Sequence, residues 1–120
     1  MKKFDLDERL IDFSVTIISI VNKLPKTKAG NHLSGQLIRC GTSPALNYAE
    51  AQSGESRKDF IHKMKISLKE LRETYTCLRI IEKAKLFDDF SMLDIAKKEN
   101  NELISIFVKS VETAKKRLKR

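Results

Sequence analysis

From Leu6 to Leu118 apolar residues return every three or four positions, and short segments interrupt the pattern in only three places. That period is the mark of amphipathic helices, because 3.6 residues per turn brings positions i, i+3, i+4 and i+7 onto one face. The first run holds Leu6, Leu10, Phe13, Ile17, Val21 and Leu24, opens on Asp5 with Glu8 three residues on, and is stopped by Pro25. After "PKTKAGN" a second run carries Leu33, Leu37, Cys40, Pro44, Tyr48 and Ala51, with Gly54 placed to cap its end. Ser56 and Asp59 then match a capping box ahead of Phe60, Met64, Leu68, Leu71, Tyr75, Leu78 and Ile81, a helix reaching to about Lys85. "LFDDFS" breaks it. Ser91 and Asp94 repeat the capping signature before Leu93, Ala96, Leu103, Phe107, Val111, Ala114 and Leu118.

Four such helices with short connections predict an all-α fold, an up-down-up-down four-helix bundle spanning residues 1–120 as one domain. Four glycines and two prolines are too few for a many-turned β fold. The longest uncharged run, Phe13 to Asn22, falls short of the roughly 20 residues a bilayer span needs, so no membrane association is expected. The acids in "DLDERLIDF" interrupt what would be the apolar part of a signal peptide, and a cytoplasmic location is expected. Cys40 and Cys77 lie in apolar contexts without CxxC spacing and are read as buried free thiols.

Pro44 is the anomaly. Inside a helix it lacks an N–H, crowds the carbonyl four residues back and costs about 3 kcal/mol, so the second helix is expected to kink there. Its neighbours Gly41, Thr42, Ser43, Ala45, Ala49 and Ala51 are small, which predicts close approach of another helix as compensation.

Lys+Arg 24 against Asp+Glu 16 leaves a net charge of +8, which favours an anionic partner. On the third helix Lys58, His62, Lys65, Lys69, Arg72, Thr76, Arg79 and Lys83 follow at steps of three or four, forming a stripe without a carboxylate. Such a stripe suits phosphate contact with little sequence preference; a plain solvated face is the other reading. The end of the chain adds Lys115, Lys116, Arg117, Lys119 and Arg120, more cations than a helix dipole needs, for phosphate contact or solubility. No aromatic residue interrupts either basic run, which points to backbone contact rather than base stacking. Ile66, Cys77 and Ile80 make a second apolar face on the third helix, a candidate oligomer interface.

Enzyme chemistry finds no support: a nucleophile with base and orienter, a phosphate loop and a dinucleotide fingerprint are all missing. Asp59 and His62 have half of a di-iron spacing, but a second such motif and the extra glutamates are lacking, and His32 has no partner pattern. No metal and no cofactor is expected.

The central stretch "RCGTSPALNYAEAQSGESRKDFIHKMKISLKELRET" resembles the motif of the bacterial 23S rRNA intervening-sequence protein family, small four-helix-bundle proteins. Arg39, Ser43, Asn47, Ala49, Glu50, Ser56, Asp59, Phe60 and Glu73 fall at its spacings without a gap. Departures are Ala51 where the family carries glycine, Gly54 or Glu55 where it carries a loop arginine, and Lys69-Glu70 in place of a Gly-Ser pair. The resemblance implies a homo-oligomer, a pentamer around a central channel, with a nucleic-acid-associated role. It singles out Asn47, Glu50 and Glu73 as polar residues, either an anion-binding or reactive site or a network fixing helix register or subunit contacts, with Arg39 or Arg72 as partner to the acids. The expectation is a non-catalytic oligomer binding structured RNA or DNA through the stripe and tail. The alternative is an assembly scaffold docking an acidic protein partner.

Overall fold

The computed structural model describes residues 5–54 and 56–119, and these form four antiparallel helices: α1 (Leu6–Asn22), α2 (Lys28–Gln52), α3 (Arg57–Lys83) and α4 (Phe90–Leu118). Each packs on its chain neighbour and α1 closes the ring against α4, so the chain is an all-α four-helix bundle. α1 has 17 residues against 29 in α4, and it meets the first half of α4 through Ile95, Ala96, Glu99 and Glu102. The second half of α4 runs on beside the end of α2 and the start of α3, where Tyr48 and Phe107 meet edge to face at 6.1 Å.

Local chemistry sets the ends. Asp5, Thr27 and Ser56 each accept a hydrogen bond from the backbone N–H three residues on, as N-caps do. For α4 the expected cap at Ser91 is corrected: Asp89 accepts from the N–H of Met92 and the helix begins at Phe90. An aspartate two residues earlier caps as well as serine and adds negative charge at the positive end of the helix dipole. Gly54 is also corrected, since no glycine takes a positive φ among the described residues and Ser53 is the C-cap of α2. The left-handed residue is Lys85 (φ 57), just past α3. Its N–H reaches Glu82 O and that of Leu86 reaches Ile81 O, which is a Schellman motif built without glycine.

The α2 helix continues unbroken through Pro44, which is buried. One turn earlier, a Cβ at Gly41 would sit 2.7 Å from Ile17 Cγ2, so α1 presses directly on the α2 backbone there. This close approach is the packing that the small residues permit.

The core runs through Leu10, Phe13, Ile17, Leu37, Met64, Leu71, Leu78, Leu93, Leu103 and Phe107. On α3 the buried face is rotated from the expected apolar line: Ile61, Ser67, Thr74 and Cys77 are inside, while Phe60, Leu68 and Tyr75 are only partly covered. Ser67 and Thr74 satisfy their hydroxyls on Lys63 O and Glu70 O of their own helix, so these small polar side chains enter the core at little cost. Fully buried Asn100 donates from Nδ2 to Leu71 O at 2.9 Å, and its Oδ1 has no partner.

Candidate nucleic-acid interface

Every member of the α3 stripe, Lys58, His62, Lys65, Lys69, Arg72, Thr76, Arg79 and Lys83, is exposed. At about 1.5 Å per residue the stripe is roughly 38 Å long. Three of the four acids on the same helix are engaged on its flanks, and the fourth, Asp59, is exposed in its first turn. Glu70 and Glu73 turn to Arg39 of α2, and Glu82 turns to Lys97 of α4 at 2.6 Å. Among the described residues no cation of the stripe makes an ion pair. The cations that are paired, Arg9, Arg39, Lys63 and Lys97, all join one helix to another.

Beside the stripe, α2 and α3 leave an open groove of about 630 Å³. Lys65, Lys69 and Arg72 border it, and Leu33, Leu68 and Ile80 give it an apolar lining. Lys115, Lys116, Arg117 and Lys119 are exposed at the end of α4; Arg120 lies outside the described residues. Arg117 and Arg57 border one groove, so the tail meets the stripe at its Lys58 end and not at Lys83.

The motif residues are brought together in part. Arg39 Nη1 donates to both oxygens of Glu70 at 2.9 Å and its Nη2 lies 3.6 Å from Glu73; Arg72 takes no part. Glu50 pairs with Lys63 at 2.5 Å, and both Glu50 and Glu73 are exposed rather than buried. Asn47 donates to Ser43 Oγ at 2.8 Å within its own helix and takes no part in the inter-helix ion pairs. Ser56 caps α3 by accepting from the N–H of Asp59, and Phe60 is half-buried at its first turn. Glu70, absent from the motif residues singled out by sequence, is the acid that Arg39 holds most closely. Its carboxyl is pushed above the usual carboxylate range by desolvation first and by Glu73 second, with Arg39 pulling against both.

Of the expected apolar face, Cys77 is a correction. It is buried inside the chain with its thiol 3.9 Å from Leu33 O, and burial pushes its pKa up to about 11. Ile66 is partly covered and Ile80 is 47% exposed. A more exposed set of apolar residues, missed by sequence reasoning, lies on α1: Ile11, Val15 and Ile18, spaced four and three apart on its outer side. The spacing was visible, but only the fold shows which side of α1 faces away. Among the described residues no cluster of three or more His, Cys, Asp or Glu is placed to hold a metal, and no helix is long and apolar enough to cross a membrane.

A family model described as 23S rRNA-intervening sequence protein matches residues 2–108. The chain belongs to that family. A crystal structure from Bacteroides thetaiotaomicron VPI-5482, described as a protein with unknown function from the S23 ribosomal protein family, is similar to this intervening-sequence family member at 25% identity. Its TM-score is 0.82, over 89% of this chain and 98% of that one. No curated protein matches the chain.

Proposed function

We propose that this intervening-sequence family member is a non-catalytic, self-associating bundle that binds structured RNA or DNA by its phosphates. The observation that carries this reading is the α3 face, a line of exposed cations from which Glu70, Glu73 and Glu82 are drawn off to Arg39 and Lys97, leaving Asp59 as the acid beside its first turn. Lysine and arginine so arranged displace counterions from a nucleic-acid backbone and give salt-sensitive affinity with little base preference. The α4 tail extends the same charge at the Lys58 end. The family's name, with its reference to an rRNA insert, agrees with such a partner. The pentamer is carried over from the family resemblance, and exposed Ile80 with partly covered Ile66 is the patch we assign to subunit contact.

The experiment replaces Lys65, Lys69, Arg72 and Arg79 with glutamine together and titrates a structured RNA at several salt concentrations. Affinity should drop and the slope of log affinity against log salt should shrink by up to about 3 to 4, with the light-scattering mass of the free protein unchanged. Parent-like binding by the variant would remove the stripe as the site. In a separate variant, Ile80→Glu should lower the oligomer mass.

The apolar lining of the α2–α3 groove favours a second reading. Leu33, Leu68 and Ile80 beside Lys65, Lys69 and Arg72 suit an amphipathic acidic protein segment. Retention of such a peptide, with indifference to RNA, would select that reading.

A further inference from the structure

A different groove lies at the end of the bundle where α2 hands over to α3 and the last turns of α4 pass alongside. It is open and encloses about 620 Å³. Arg57 from the first turn of α3 and Lys109 and Arg117 from α4 line it, together with Ser110 and Thr113 of α4. Among the described residues its lining holds no carboxylate, Asp59 standing at its edge beside Gly54, and none of the three cations is in an ion pair. The floor is apolar, made by buried Ala51 and Ala114 and by the half-buried ring of Phe60.

Each part of this lining fits one portion of the same ligand. Two guanidinium groups and an ammonium facing one space repel one another until an anion joins them, and guanidinium holds phosphate oxygens in pairs. Serine and threonine hydroxyls donate to the remaining oxygens. Phe60, which lines the groove and packs against the core, supplies an aromatic surface that a nucleobase can stack on, which the long basic stripe of α3 has no aromatic residue to do. The size lies within the roughly 300–1,000 Å³ of small-ligand sites.

We propose that this groove binds a phosphorylated nucleoside, its phosphate between Arg57, Lys109 and Arg117 and its base against Phe60. The ligand is either a free mononucleotide or the 5′-terminal nucleotide of a strand. The site lies at the Lys58 end of the α3 stripe, contains none of the stripe's own residues and shares Arg117 with the α4 tail.

The test titrates the full-length protein with adenosine 5′-monophosphate, adenosine, inorganic phosphate, and one short oligoribonucleotide in 5′-phosphorylated and 5′-hydroxyl forms. The monophosphate, or the phosphorylated oligoribonucleotide, should bind at least about tenfold more tightly than its counterpart without phosphate. Preference shown by the mononucleotide alone identifies a free nucleotide; preference shown by the oligoribonucleotide alone identifies a strand end. Arg57→Gln with Lys109→Gln, checked for unchanged helicity, should abolish the preference. Phe60→Leu should erase the advantage of the monophosphate over inorganic phosphate while leaving phosphate binding intact. No phosphate preference in either ligand pair, or parent-like binding by the double variant, overturns the proposal. The Lys65, Lys69, Arg72 and Arg79 variant separates the two sites: it should lose long structured RNA and keep the 5′-phosphate preference.

Discussion

Glu70 accepts two hydrogen bonds from a single nitrogen of Arg39, at 2.9 Å to each carboxylate oxygen, and so fastens α3 to α2. The acid is mostly covered while the arginine is half in solvent. The guanidinium also leans towards Glu73, so one cation serves two acids that would otherwise face each other across one helical turn.

Arg39→Gln should therefore cost stability in a pH-dependent way. A carboxyl whose folded pKa stands above its unfolded value, as that of Glu70 does, contributes stability below the unfolded value and loses it as pH rises through the folded one. Removing Arg39 raises the folded value further. The urea midpoint of the variant should fall well below the parent at pH 7 and approach it near pH 4. An equal gap at both pH values would mean that Arg39 acts through packing alone.

Gly41→Ala should destabilise the bundle. Helix propensity gains about 1 kcal/mol, but the new methyl would lie 2.7 Å from Ile17 Cγ2, and overpacking of that kind costs about 1–3 kcal/mol. Since the clash is with one side chain, Ile17→Ala combined with Gly41→Ala should lose less than the two single losses added together. Strict additivity in thermal or urea unfolding would contradict the close α1–α2 contact.

Lys85→Gly should stabilise the protein by about 1 kcal/mol, because a left-handed residue with a Cβ stores about 1–2 kcal/mol that glycine does not. The gain is partly offset by the larger backbone entropy of glycine in the unfolded chain. A variant less stable than the parent would show that the lysine side chain has a role in the turn.

Alkaline pH should weaken the fold through Cys77. Its thiol ionises near 9.0 when free and about 11 in the folded chain, so above pH 9 the unfolded state binds fewer protons and stability falls as pH rises through this window. A shift of that size corresponds to at most about 3 kcal/mol. Cys77→Ala should lower stability at neutral pH through lost packing yet show a shallower decline between pH 9 and 11. Parallel pH profiles for parent and variant would remove Cys77 as the cause.

Helical period was enough to read four helices, their order and most of the core, because Leu10, Phe13, Leu71, Leu103 and Phe107 repeat at the spacing that burial demands. It failed where polar residues enter the core. Ser67 and Thr74 look like surface positions until their hydroxyls are seen bonded to their own helix, and Asn100 until its amide is seen on Leu71 O. The α3 stripe was legible since its residues share one helix face, whereas the partner of Glu70 depends on the register between two helices. Arg57, Lys109 and Arg117 were illegible as a group for the same reason: they are far apart in the chain, and only the course of α4 beyond the start of α1 brings them to one groove.

That uneven length has a consequence in time as well as in space. With no close backbone approach to α3 among the described residues, α1 is held by α2, by half of α4 and by Arg9 gripping Glu99 and Glu102 at 2.6 Å. The other three helices form a continuous chain of large contacts without it. Opening will therefore not be uniform: amide hydrogens of α1 should exchange with solvent ahead of those in the middle of α3, so that the bundle comes apart from its first helix inwards.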